Sequence, residues 1–311
     1  MREPFEQVPF DDLPQCPRLA HPYYEADTED VEVDSAAFGR VGVRVVSYGR
    51  REAPPLLLVH GLMTSSYSWR YLLEPLADRF RMIAPDLSGS GRSDRLPDRA
   101  HSPRALATFL GELQDTLGLR GCLAAGNSLG GYICMQRALA EPTSFARLVA
   151  IHPPAVVQPR LVALHLALRV PGVAAGLSRF VRHDPLRWAH KRVHYYDETL
   201  KSLEEAHEYG DPLATRAGAQ SFVRDLADAL DPRALHAFTR ELERRRETGA
   251  GFPVPVMLAY SRQDPTISPK VGDELRQLVP DAEFHWLPRT SHFAQVDVPE
   301  LLAPLLSEFL R

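Results

Sequence analysis

Short, unbroken apolar runs recur along this chain at residues 56–60, 82–85, 122–126, 148–152 and 256–260. A strand that is apolar at every position, rather than at alternate ones, has both faces covered. Between and after these runs lie segments with helical spacing, at 67–77, 103–117, 129–140, 269–278 and 299–310. Strands of this kind alternating with helices imply an α/β architecture, a mostly parallel sheet with helices on both faces. The sheet's margins read differently. Val31 and Val33 alternate with acidic residues, Gly39-Arg40 turns the chain, and Val41, Val43 and Val45 alternate again, which is the period of a half-buried hairpin. Residues 283–287 alternate too and read as an edge strand. The expectation is an eight-stranded sheet.

One interval breaks the alternation. From residue 153 to about 235 only helical patterns appear, punctuated by Pro171, Pro185, Gly210-Asp211-Pro212 and Asp231-Pro232. A helical insertion after the sixth strand, near the carboxyl edge of the sheet, reads as a cap over a ligand site. The division expected is a core at 30–153 and 236–311, a cap at 154–235, and an acidic, proline-bearing extension at 1–29 that lies over the domain or is partly disordered.

Composition narrows the chemistry. A net charge of -4 leaves no basic footprint for nucleic acid. The dense cluster Arg240, Arg244, Arg245 and Arg246 is interleaved with Glu241, Glu243 and Glu247, as on a solvated helix face. Cys16, Cys122 and Cys134 are too few and too widely spaced for a disulfide framework or a zinc site, and a reduced, cytoplasmic setting fits them. No run approaches the ~18 apolar residues of a spanning helix. Neither signal peptide, metal cluster nor nucleotide loop is found, so no cofactor, nucleic acid or membrane partner is expected. A homodimer is compatible with the sequence.

Gly126-Asn127-Ser128-Leu129-Gly130 has the form G-x-S-x-G, with a strand before it and a helix after it. In such an elbow the serine occupies a sharp strained turn, and small neighbours let strand and helix approach. A serine hydroxyl needs an adjacent base to attack at neutral pH. His292, in the loop after the last strand, is the candidate base. Asp264, after the penultimate strand, is the candidate that orients it. The loop after the preceding strand reads His152-Pro153-Pro154-Ala155 and offers no carboxylate. Two backbone N–H groups must meet the developing oxyanion. Leu129 follows the nucleophile and Leu62 follows His60-Gly61, so these two are the candidates. His60 reads as a packing residue beneath that loop.

In order and spacing, His60-Gly61, the run 85–94 (PDLSGSGRSD), the elbow, Asp264 and His292 resemble the α/β-hydrolase superfamily over about residues 40–153 and 240–311. The resemblance implies the α/β-hydrolase fold and a serine hydrolase, and it does not extend over the expected cap. The N-terminal half is most similar to haloalkane dehalogenases and epoxide hydrolases, through residues 64–69 (TSSYSW), 86–94 and 292–295 (HFAQ). Those families use an aspartate nucleophile where this chain has Ser128. The halide-binding Asn and Trp of dehalogenases correspond to Leu62 and Leu129. Tyr195 and Tyr196 resemble epoxide-opening tyrosines but, without the aspartate, read as packing or pocket residues. The elbow also resembles C–C bond hydrolases, in which tryptophans stand near the positions of Tyr260 and Phe293.

The reading that follows is a carboxylesterase-like serine hydrolase acting on a small to medium, hydrophobic substrate. Met63, Phe293, Trp69 and Tyr260 are the candidate pocket residues. Arg160, Arg169 and Arg182 of the cap are solvated or bind a carboxylate. The alternatives are a C–C bond hydrolase, a cofactor-free haloperoxidase or perhydrolase, and a non-catalytic small-molecule receptor on the same fold.

Overall fold

The computed structural model describes residues 3–311. Its strands are β1 (Asp27–Ser35), β2 (Gly39–Tyr48), β3 (Pro55–Val59), β4 (Arg81–Pro85), β5 (Cys122–Asn127), β6 (Phe145–Ile151), β7 (Val256–Ser261) and β8 (Glu283–Leu287). They form one sheet in the order β1-β2-β4-β3-β5-β6-β7-β8. β2 runs antiparallel to both β1 and β4, and the remaining neighbours are parallel. The eight strands anticipated from the sequence are all present, with β8 at an edge.

The helices are α1 (Arg70–Leu76), α2 (Pro103–Thr116), α3 (Leu129–Ala140), α4 (Pro159–Arg169), α5 (Val173–His183), α6 (Pro185–Arg192), α7 (Leu203–Gly210), α8 (Arg216–Asp228), α9 (Pro232–Glu247), α10 (Pro269–Leu278), α11 (Ala294–Asp297) and α12 (Pro299–Phe309). Several begin where the local chemistry dictates. The Ser102, Thr215 and Asp231 side chains accept N–H groups in the first turns of α2, α8 and α9. Such caps satisfy donors that have no partner within the helix.

Successive residues of the central strands feed opposite cores. Leu57 and Val59 of β3 join Leu148 and Ala150 of β6 on one face, with α2, α3 and α9. Leu56 and Leu58 join Val149 and Ile151 on the other, with α1 and α12. This two-sided burial is why the runs are apolar throughout. The parallel strands all end at one edge of the sheet, so the loops after β3, β5, β6, β7 and β8 gather there.

Helices α4–α9 occupy the whole interval between β6 and β7, with no strand among them. Of these, α9 starts inside the expected cap and packs on the core, with Phe238 edge-on to Tyr132 of α3 at 5.1 Å. The N-terminal segment is a strap along the cap. Leu203 and Glu204 N–H groups donate to the Pro14 and Gln15 carbonyls, Phe5 N–H donates to Tyr196 O, and Arg18 pairs with Asp197 at 2.8 Å. Residues 1 and 2 of the expected extension lie outside the described residues.

Candidate active site

Ser128 stands between β5 and α3 with φ 53° and ψ −121°, a region that non-glycine residues seldom occupy. The glycines around it make the turn possible. A Cβ on Gly126 would lie 2.6 Å from the Gly131 nitrogen, and one on Gly130 would strike the Val59 and His60 carbonyl oxygens. The turn is held from below by the Ser128 N–H, which donates to Ile151 O at 2.7 Å. No protein group among the described residues hydrogen-bonds the Ser128 hydroxyl, which borders a cavity of about 470 Å³.

His292 borders the same cavity. Its Nδ1 lies 2.7 Å from Asp264 Oδ2, and the Asp264 side chain is fully buried. The other oxygen, Oδ1, accepts the Thr266 and Ile267 N–H groups at 2.6 and 2.9 Å. Burial works to raise the Asp264 pKa, but the His292 ring, with help from His152 and the Ile267 N–H, outweighs it and holds the carboxyl at about 2. Asp264 is therefore a carboxylate, Nδ1 of His292 carries the proton it accepts, and Nε2 is left to the cavity. The loop bearing His292 is fixed from several sides. Asn127 Nδ2 donates to its carbonyl at 3.0 Å, the Ser261 hydroxyl donates to Thr290 O, and the Ser291 N–H donates to Asp297 at 2.7 Å. Asp297 also accepts the Tyr196 N–H, which ties the loop to the cap, and burial pushes its carboxyl up to about 7.

The depressed Asp264 pKa has a consequence for stability. A carboxyl near 2 in the folded chain and 3.8 otherwise binds fewer protons when folded, so its contribution is complete above pH 4 and lost as pH falls toward 2. Wild-type unfolding free energy is expected to drop over that window, with on the order of 2 kcal/mol of the drop due to this group. Urea titrations from pH 5 to 2 should find that portion missing in Asp264→Asn; parallel profiles would show that the dyad is not linked to folding.

Leu129 and Leu62 both border the cavity beside Ser128. Leu129 N–H lies in the first turn of α3, where no carbonyl of the helix reaches it. Leu62 precedes Met63, which has φ 65° in the turn after β3. His60 is fully buried below this turn. Its Nε2 accepts the Leu87 N–H and its Nδ1 donates to Gly61 O, both at 2.8 Å. The ring thus splices the turn to the run 85–94, itself organised by Asp86, which accepts the Ser66 and Arg92 N–H groups.

Among the expected pocket residues, Met63 and Phe293 border the cavity. Trp69 and Tyr260 do not. Trp69 is fully buried in the core shared by α1 and α12. Tyr260 points into the opposite core, with its hydroxyl on Pro153 O at 2.8 Å and its ring against Phe284. Tyr195 is buried too and donates its hydroxyl to Glu205. Instead the cavity is closed by Leu161, Leu164, Leu177, Trp188, Phe222 and Leu226 of the cap, with Arg160 and Arg192 also at its wall.

In the sequence His152 marks only a loop that offers no carboxylate. It lies fully buried at φ 50°, its ring 5.6 Å from that of His292, with neither ring nitrogen hydrogen-bonded. Burial lowers its pKa to about 4, so it is a neutral wall beside the dyad. His152, Asp264 and His292 are the one group of donors close enough to suggest a cation among the described residues. Nitrogen and oxygen ligands around zinc stand about 3.3 Å apart in tetrahedral geometry, so the 2.7 Å between His292 and Asp264 is the length of a hydrogen bond, not of two ligands sharing a metal.

Residues 54–299 match the model of the alpha/beta hydrolase fold family. The chain belongs to the α/β-hydrolase family. It is 28% identical over 274 residues to haloalkane dehalogenase 2 of Mycobacterium tuberculosis, covering 82% of this chain and 87% of that protein. It is 26% identical over 293 residues to epoxide hydrolase 3 of Xenopus tropicalis, covering 86% and 74%. Among solved structures, a thermophilic esterase from Thermogutta terrifontis superposes with a TM-score of 0.73 at 22% identity, over 91% of this chain and 98% of that one. These relatives place the α/β-hydrolase chain among hydrolytic enzymes, at the level of the class.

Proposed function

We propose that this α/β-hydrolase is a serine hydrolase that cleaves an ester-like carbonyl in a small to medium, hydrophobic substrate. One observation carries the reading: a serine held at positive φ shares a cavity wall with a histidine whose far nitrogen is tied to a buried carboxylate. In the proposed course, Ser128 Oγ attacks the carbonyl carbon while His292 Nε2 takes its proton. The Leu62 and Leu129 N–H groups receive the oxyanion, and Asp264 stabilises the imidazolium. His292 then protonates the departing alkoxide, leaving an acyl-Ser128. Water, deprotonated by the same nitrogen, releases the acid and restores the serine. No cofactor enters these steps.

Dehalogenase and epoxide hydrolase chemistry fit less well, since the nucleophile position holds serine and Leu62 and Leu129 stand where dehalogenases bind halide. The C–C hydrolase alternative is weakened by Tyr260, which faces the core and not the substrate space. An acyl chain is favoured by a wall built mainly from leucine, phenylalanine and tryptophan side chains.

The test is turnover of p-nitrophenyl esters from acetate to decanoate. A maximum at intermediate length is expected, with kcat/KM for it roughly tenfold or more above acetate, from a few methylenes each worth up to ~0.8 kcal/mol. A folded protein that turns over none of them while Ser128 still reacts with a fluorophosphonate would sink the ester reading and keep the nucleophile.

A further inference from the structure

The whole protein has a net charge of -4, yet between residues 153 and 183 there is no aspartate or glutamate. The same stretch carries Arg160, Arg169, Arg179 and Arg182, all exposed. Among the described residues none of the four reaches a carboxylate. Of the acids that border the stretch, Asp184 lies 3.3 Å from Arg187 and Asp228 accepts the His101 N–H, while Asp98 lines a surface pocket with Arg169 without pairing with it.

Four exposed apolar side chains accompany these arginines: Leu166 (61%), Val170 (54%), Val173 (40%) and Phe180 (65%). Only Leu19, Tyr24 and Leu301 are comparable among the described residues. Leu166 and Val170 stand one turn apart at the end of α4, and Val173 and Phe180 two turns apart on α5, so each pair shares a face. On α4 the face turned away from Leu166 is used, where Leu161 and Leu164 border the cavity, whereas on α5 Leu177 borders the cavity from the same face as Val173 and Phe180. Phe180 reaches the cavity's rim, with its ring edge-on to Trp188 of the cavity wall at 5.8 Å. A clustered apolar surface set among unpaired cations is costly in water and marks a contact site.

We propose that the exposed apolar side chains of α4 and α5, with the arginines around them, dock on an anionic phospholipid surface. The charge selects this occupant, because clustered arginines without acids complement anionic headgroups while the apolar side chains enter the acyl boundary. The helices lie on the layer and do not cross it. Each has 11 residues, about 16 Å of helix against a hydrocarbon core of about 30 Å, and they meet at a bend of 100°. The expectation of no membrane partner rested on the lack of a spanning segment, which docking does not require. The site over which these helices close would then face the lipid layer.

The experiment is vesicle flotation of the full chain, with phosphatidylcholine alone and with about 30% phosphatidylglycerol, a fraction that gives the layer an anionic surface. Wild type should float with the anionic vesicles and much less with the neutral ones. Leu166→Ser/Val170→Ser/Val173→Ser, at positions outside the cavity wall, should lose at least about tenfold in vesicle affinity with an unchanged Tm. Arg169→Glu/Arg179→Glu should remove the preference for anionic lipid. Wild type that floats with neither vesicle, or a serine variant that floats as well as wild type, overturns the proposal. Self-association of the wild type in sedimentation velocity, lost in the serine variant and without flotation, would assign the face to a second copy. Vesicle binding needs no turnover, so it is independent of the ester reading.

Discussion

Ser128→Ala is expected to lower kcat on the best ester by about 10⁵–10⁶-fold while leaving Tm within about a degree of wild type. Both halves follow from the elbow. Alanine removes the oxygen proposed to attack, while the N–H groups and cavity proposed to bind the substrate remain, so KM should move little. The backbone at this position has φ 53°, which strains alanine as it strains serine. Ser128→Gly separates the two effects. It should be as inactive as alanine yet more stable, by about 1–3 kcal/mol, because glycine adopts this conformation without strain. Stopped-flow ester kinetics and thermal melts of the three proteins suffice. Retention of more than a few per cent of wild-type kcat in Ser128→Ala would mean that another group attacks. Equal melting of the glycine and alanine variants would mean that the strain is relaxed in solution.

How far the site was legible depended on how local its constraints are. The elbow was readable because Gly126 and Gly130 each sit where a Cβ has no room, a demand written within a few residues of Ser128. Strands β3, β6 and β7 were readable because two-sided burial makes their central residues, 56–59, 148–151 and 256–260, apolar throughout. The same property hid the pocket. In β7, Met257 and Ala259 face one core and Leu258 and Tyr260 the other, and since all are apolar the pattern does not say which side Tyr260 takes. Trp69 lies only a few residues beyond Leu62 and Met63, but its turn leads into α1 and carries the indole beneath the sheet. His152 stayed invisible because its place beside Asp264 comes from the neighbouring strand β6, not from any spacing in the chain. The strap at the N-terminus has no periodicity to read, since its hydrogen bonds go to the cap across nearly two hundred residues of sequence.

Arg70→Met is expected to cost about 3–5 kcal/mol of stability, the loss typical when a buried ion pair is deprived of one partner. Arg70 is fully buried in α1, its Nη2 2.6 Å from Glu205 Oε2 in α7, and the Glu205 side chain is only 4% exposed. The guanidinium also lies 4.3 Å above the Tyr67 ring and 4.5 Å above that of Tyr71. Glu205 accepts the Tyr195 hydroxyl, and its neighbour Glu204 accepts the Tyr67 hydroxyl at 2.6 Å and meets His21 of the strap at 3.0 Å. One charge pair therefore anchors the cap and, through Glu204, the strap to the sheet domain. Methionine retains much of the volume but leaves a carboxylate in the interior without its cation, and that unpaired charge is the source of the loss. Adding Glu205→Gln should restore at least half of it, because the amide oxygen still accepts from Tyr195 while no buried charge remains. Urea unfolding of the two single variants and the double variant measures the coupling. A single-variant loss below about 1 kcal/mol would show that water reaches Glu205 and that the cap is held by its apolar contacts alone. A full loss accompanied by unchanged ester kinetics in the surviving folded fraction would show that the anchor serves the stability of the fold and not the attack on the carbonyl.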